Sequence, residues 1–486
     1  MTGTEIGSII GAAGLAGLLV SSDRRVRPAA FAAWAMGGAI LAADLMHSPI
    51  AKIRVEATGR PALAAAGLVV GLAALAVGAF VAHRYTTVTL LAIVAAAPAR
   101  IPLHAGGQQA NLLVPLYAVV LAIAAASAYE LATGRERPPA LGPVGWAAAA
   151  LIGWSAISLL WSADGRQGGV EMMFFYLPFG FLLARIAAIR PTTRQLQGML
   201  AVQVLLGLLF AGVAFWQHHT EHLFWNHKIM VGNEYGSFFR VNSLFYDASI
   251  YGRFMAVTIV LLLGVMVFRR ITVPLLLLVA VLFAGQYLAY SQSSLLALAA
   301  GAAFLGATIW PRRLIAALAV AVVLIGAVGL ATSSHGNSTR QVTSGRSRLI
   351  EDGWRVIRHH PLEGAGLGGF ARAALAGTAH PGRTKSAASH TTPLTVLAEL
   401  GPLGLAAYLA LIGSIAWAAL RAGPDRDTRL ILAAALAAVL TSSVFYNAYF
   451  EDPASWILTA LIAAAAFLPP PDHMPGPSHH GIGAVT

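Results

Sequence analysis

The amino-acid sequence specifies an all-α polytopic membrane protein, and three observations carry that conclusion. Of 486 residues, 57% are hydrophobic and only 11% are charged, with a mean hydropathy of +0.71; soluble domains carry about 25% charged residues. The apolar residues fall in runs of about 15 to 22, long enough for helical spans and unlike the alternating ten-residue segments of a membrane β-barrel. Lipid offers the backbone no hydrogen-bond partner, so such runs must satisfy their own N–H and C=O groups as helices. The expectation is about 14 transmembrane helices, within a range of about 12 to 15, and one large extracytoplasmic helical loop.

The spans follow in order. Candidates near 6–20, 29–46, 61–82, a short one at 86–98, 111–131, 144–161, 171–189 and 196–217 form an N-terminal block, 1–217. Residues 1–20 lack the basic stretch of a cleavable signal and are expected to be the first span. The central block, 218–331, holds an arginine-bearing external segment and candidates at 249–268, 271–289, 293–310 and 313–331. Residues 332–393 form one hydrophilic island. The block 394–469 contains candidates at 394–420, 428–446 and 453–469, and the proline- and histidine-rich tail 470–486 is expected to be disordered and cytoplasmic.

Charge sets the orientation. Alternating the loops puts Arg24, Arg25, Arg27, Arg84, Arg135, Arg137, Arg190, Arg194, Arg269, Arg270, Arg312, Arg313, Arg421, Arg426 and Arg429 on one side, which the positive-inside rule makes cytoplasmic. Segment 218–248, the Tyr290-Ser291-Gln292-Ser293 turn, the island and the turn 447–452 then lie outside. Lys52, Arg54 and Arg60 fall in an early external loop and oppose the rule. The net charge is +12, but the basic residues are scattered through loops without an aromatic-interleaved stripe. That pattern argues against nucleic acid and for anionic lipid headgroups or a phosphorylated lipid. Cysteine is absent, which excludes disulfides and thiolate metal sites.

Within the island, residues 347–359 place Leu349, Ile350, Gly353, Trp354 and Ile357 on a 3.6-residue period against Arg348, Glu351, Asp352, Arg355 and Arg358. An amphipathic helix is expected, either on the outer membrane face or packed against the span bundle. Pro361 ends it. The run Gly364-Ala365-Gly366-Leu367-Gly368-Gly369 is either a phosphate cradle or a flexible turn, and it lacks the Lys-Ser or Lys-Thr of a P-loop. His390 stands where Thr391, Thr392 and Pro393 start the next span; it is either a proton acceptor beside an anion-binding helix start or an interfacial histidine bonded to the loop. The island's acids, Glu351, Asp352 and Glu363, are outnumbered by Arg340, Arg346, Arg348, Arg355, Arg358, Arg372, Arg383 and Lys385. Without an Asp-x-Asp pair, guanidinium groups rather than a divalent metal are expected to neutralise a diphosphate, and no cofactor is expected. A second external group, Arg240, Asn242, Tyr246, Asp247 and Arg253, mixes cations, an amide, an acid and aromatics; it suits sugar and phosphate recognition or an interfacial belt.

The stretch His390-Thr391-Thr392-Pro393-Leu394-Thr395-Val396-Leu397-Ala398-Glu399-Leu400-Gly401 resembles the histidine-to-glycine signature of the bacterial O-antigen ligase and polymerase superfamily. Gly345-Arg346 before an amphipathic helix, the His360-Pro361 and Gly364-x-Gly366 run, and the Tyr290-Ser291 turn fall in the same order; the likeness covers about residues 230 to 465. The resemblance implies a GT-C-like membrane glycosyltransferase of cell-surface polysaccharide biosynthesis in the bacterial inner membrane. Such an enzyme moves a glycan from an undecaprenyl diphosphate carrier to an acceptor hydroxyl outside the membrane, without metal or nucleotide. It implies His390 as the base and Arg346 on the diphosphate; from the residues themselves, Arg240, Arg253 and Gln292 are expected at the diphosphate too, with Arg240 or Arg253 in place of the family's cation unless that contact differs in this branch. Asn242, Tyr246 and Asp247 would contact substrate, and Glu399 and Gly401 would support the site. Many members carry Ser-Arg-Gly where this chain has Ser291-Gln292-Ser293, and glutamine brings no cation. A polymerase of lipid-linked units is the alternative within the class. A flippase or transporter of lipid-linked glycan is the rival outside it, against which stand the absence of visible repeats and of mid-span ionisable groups.

Overall fold

The computed structural model describes residues 1–47, 61–105, 108–235, 239–309, 346–376, 389, 391–421, 426–447 and 449–467. The expected span 313–331, the loop segment at Lys52, Arg54 and Arg60, much of the island and the tail lie outside them.

The described chain is helical apart from one hairpin. Helices α1 (Gly3–Val20) and α2 (Val26–Leu45) form an antiparallel pair. After them come α3 (Pro61–Arg84), α4 (Thr86–Ala96), the strands β1 (Ile101–Ala105) and β2 (Gln108–Leu112), α5 (Val114–Ala132) and α6 (Pro143–Ile157), extended by a 3-10 turn to Trp161. Helix α7 (Gly165–Glu171) passes through a π turn at Met172–Tyr176 into α8 (Leu177–Ile189), so these three pieces make one span of 25 residues. Next are α9 (Thr193–Thr220), α10 (His227–Tyr235), α11 (Ala248–Phe268), α12 (Val273–Tyr287), α13 (Gln292–Ile309), α14 (Arg346–His359), α15 (Phe370–Ala376), α16 (Thr392–Leu420), α17 (Arg426–Phe445) and α18 (Pro453–Ala466).

Eleven of the described helices are long and apolar enough to cross a membrane, and three shorter apolar ones, α4, α12 and α18, lie among them. The all-α class holds, with this hairpin as the one addition among the described residues. The span expected from residue 111 begins at Val114, because 108–112 pair antiparallel with 101–105. Hydropathy cannot separate five such residues from a helical turn.

Ion pairs show which loops share an end of the bundle. Arg27 pairs through Nε with Glu136 at 2.6 Å, Arg185 with Glu130 at 2.7 Å, and His83 with Glu130 at 3.0 Å. These join α2, α3, α5 and α8 at the arginine-rich end. At the opposite end Arg100 donates to the Glu451 carbonyl at 3.3 Å, Arg253 pairs with Asp452 at 2.8 Å, and the Trp161 indole donates to the Glu363 carbonyl at 3.1 Å. The grouping of loops is the one that charge alternation gives.

The amphipathic helix is present as α14, but its apolar stripe divides. Asp352, Gly353 and Val356 are buried, with Gly353 against Leu394 of α16, while Ile350 and Trp354 face outward.

Candidate functional site

The island's descent onto the bundle is built on a broken helix. Helix α16 is interrupted at Gly401, where φ is 65° and ψ is −171°, and Pro402 follows. Proline has no N–H to give to a carbonyl four residues back, so the backbone there needs other donors. The glycine run supplies two of them: Ala365 N–H donates to the Ala398 carbonyl at 2.9 Å and Gly366 N–H to the Glu399 carbonyl at 2.8 Å. The Trp154 indole of α6 donates to the Leu400 carbonyl at 2.8 Å.

The run is therefore neither a phosphate cradle nor a flexible turn, and that expectation is corrected. Gly364, Leu367, Gly369 and Phe370 N–H donate respectively to the His360 carbonyl, Ser158 Oγ, the Gly366 carbonyl and Glu399 Oε1. The donors are already committed to protein acceptors. Its glycines answer a steric need: a Cβ on Gly366 would sit 2.3 Å from Ser162 Cα, and one on Gly401 2.2 Å from the Leu362 carbonyl. Both also have positive φ, 78° and 65°. Glu399 thus sits buried beneath the loop and caps the start of α15.

A groove of about 700 Å³ runs between α4, α9, α11, α17 and α18. Its walls are apolar, with Leu196, Leu205, Val257, Leu261, Ile457 and Leu461 among them. On α11 the lining extends from Ile250 to Arg269, about 28 Å of helix at 1.5 Å per residue, close to the thickness of a bilayer's hydrocarbon core. Arg100, Arg253 and Asp452 line one mouth; Arg269, Thr193 and Thr428 line the other end.

Arg253 is the unusual residue of the first mouth. It is only 2% exposed, its Nε is held by Asp452 Oδ2 at 2.8 Å, and its two terminal nitrogens have no hydrogen-bond partner among the described residues. The Tyr446 ring lies 6.0 Å from the guanidinium carbon. Buried donors are ordinarily satisfied, and leaving charged ones unpaired is costly. Asp452 does two jobs, since its Oδ1 accepts from Ala454 N–H at 3.0 Å and caps α18, with Pro453 in the first turn. The turn carrying it is fixed from behind by rings, including Tyr176 against Phe450 at 5.2 Å and Tyr408 against Tyr449 at 5.8 Å. Burial pushes the Glu451 carboxyl above its ordinary range, while Arg100 and Arg253 pull the other way.

The other sequence candidates are placed as follows. Arg240 gives Nε to the Ala289 carbonyl at 2.8 Å and a terminal nitrogen to Ser249 Oγ at 3.4 Å, tying the external segment to the α12–α13 turn. Asn242 is fully buried, with Nδ2 3.5 Å from the Tyr246 carbonyl. Asp247 caps α11 through Ser249 N–H at 2.6 Å, Tyr246 is exposed, and Gln292 is exposed in the first turn of α13. Of the sequence candidates among the described residues, only Arg253 lines the groove. His390 and the Arg346 side chain lie outside the described residues. Their neighbours are ordered by contacts: Ser389 Oγ and Thr395 Oγ1 are 2.8 Å apart at the start of α16.

Sequence reasoning missed Arg100, Glu451 and Asp452 as site residues. A signal existed for Asp452, since Asp-Pro before an apolar run marks a helix start. None existed for Arg100, which reaches Glu451 across 351 positions of sequence.

Residues 275–409 match the protein family described as O-antigen ligase. No curated protein matches the chain. The matched segment contains all but the first two residues of α12, then α13, α14, α15, the glycine plug and the break in α16. That segment is therefore similar to the O-antigen ligase family, and it lies in a chain whose described residues include eleven helices long and apolar enough to cross a membrane.

Proposed function

We propose that the protein is an O-antigen ligase-like glycosyltransferase that takes a glycan from an undecaprenyl-diphosphate-type carrier and transfers it to an acceptor hydroxyl on the extracytoplasmic face. The observation that carries this reading is the apolar groove of bilayer length whose mouth holds a buried arginine with two unpartnered nitrogens. An isoprenoid chain suits the walls, and its diphosphate suits the guanidinium. With α4, α12 and α18 crossing alongside the eleven longer helices, the spans number about 14, and the Arg253 end faces away from the cytoplasm because the opposite end carries the arginine-rich loops.

In this reading His390, at the start of α16, takes the proton of the acceptor hydroxyl. The oxygen attacks the anomeric carbon, the carbon–oxygen bond to the diphosphate breaks, and the carrier diphosphate leaves with the electron pair, stabilised by Arg253. Arg346 and Arg240 add positive charge outside the groove, and Asn242, Tyr246 and Asp247 contribute to the external wall. Glu399 and Gly401 act by holding the plug and the helix break. No metal or nucleotide enters these steps, and direct displacement inverts the anomeric carbon.

His390→Ala is expected to abolish glycan transfer in a purified assay while membrane abundance stays unchanged. Near-normal product from that variant contradicts the assignment of the base. With donor alone, absence of chain growth marks a ligase, and growth without added acceptor marks a polymerase.

A further inference from the structure

Gln292 brings no cation to the proposed donor site, and the structure brings a different one to the groove. We infer that Arg100, from the N-terminal half of the chain, is the second diphosphate-binding cation, acting with Arg253 at the groove mouth. The inference rests on the donor reading above.

Three observations support it. Arg100 and Arg253 both line the mouth of the groove, whereas Gln292 and Arg240 do not. Both are tethered to consecutive residues of one turn: Arg100 to the Glu451 carbonyl at 3.3 Å and Arg253 to the Asp452 carboxylate at 2.8 Å. Each tether uses part of a guanidinium, and for Arg253 both terminal nitrogens are left over. A single guanidinium satisfies one phosphate bidentately, and two on a shared rigid turn match the two phosphates of a diphosphate. The groove beyond them is apolar, so the ligand class is a diphosphate ester with an isoprenoid-like tail. Arg100 lies outside residues 275–409, so the site joins the matched segment's neighbours to the N-terminal block.

The test uses the full-length protein in nanodiscs, with farnesyl diphosphate and farnesyl monophosphate as probes and equilibrium binding as the readout. Wild type is expected to prefer the diphosphate by about tenfold, the value of one charge-assisted contact. Arg100→Gln is expected to erase that preference while keeping monophosphate affinity, and Arg253→Gln to weaken both. Arg100→Met, which suits an apolar groove, carries the same comparison if the glutamine variant does not fold. Wild-type binding with the preference intact in the Arg100 variant overturns the role of Arg100 and leaves the donor reading standing. Failure of wild type to bind either probe overturns the donor reading itself.

Discussion

Two arginines, Arg27 and Arg253, are equally buried at 2% exposure and sit at opposite ends of the bundle, yet they are treated differently. Arg27 is saturated: Nε and a terminal nitrogen clasp Glu136, and the other terminal nitrogen donates to the Leu18 and Ser21 carbonyls at 2.9 and 2.7 Å. Arg253, a residue of the groove lining, holds Asp452 through Nε alone, and its two terminal nitrogens are buried without a hydrogen-bond partner among the described residues. Equal burial thus hides a difference between the two: Arg27 spends its donors on protein acceptors, and Arg253 leaves two without a partner among the described residues.

Substitution sharpens this contrast. Arg27→Gln leaves Glu136 buried without its partner and is expected to cost about 3–5 kcal/mol of stability, read as loss of membrane abundance and a lowered unfolding temperature. Arg253→Gln is expected to do the reverse, leaving the unfolding temperature nearly unchanged while transfer falls by about 100-fold. If the two variants lose stability equally, the contrast is broken.

Between these extremes lies the glycine plug. Gly401→Ala adds a Cβ against the Leu362 carbonyl at a positive φ and is expected to cost about 1–3 kcal/mol, with activity falling in step with folded protein. Activity lost without loss of folded protein makes the break a functional element rather than a support.

The smallest effect concerns Glu451. Its folded-state pKa is raised by burial, so the folded chain keeps a proton that the unfolded chain releases. Stability from this group is present below the ordinary carboxylate range and is lost as pH rises through and above it. Glu451→Gln is neutral at every pH and is expected to flatten the decline in unfolding temperature as pH rises above the ordinary carboxylate range. A parallel decline in both proteins contradicts the assignment.

The sequence carried the helical class, the paired ends of the bundle and α14, because span length, loop charge and a 3.6-residue period are local signals. It also named Arg253, as one of several external candidates, from its surroundings of aromatics and polar groups. What it did not carry was long-range. Arg100 meets Glu451, Trp154 meets Leu400 and Gly366 packs on Ser162 only once distant helices are adjacent. The glycine run misled because loop composition resembles an anion nest, whereas its N–H groups are claimed by the interrupted α16.

The central claim is that the groove receives an isoprenoid diphosphate with its head at Arg253. Photolabelling with a benzophenone-bearing isoprenoid diphosphate, followed by peptide mapping, tests it most directly. The expected label lies on α9, α11 and α18, is displaced by excess farnesyl diphosphate and is weakened in Arg253→Gln. Labelling confined to helices away from the groove, or unchanged by Arg253→Gln, contradicts the account.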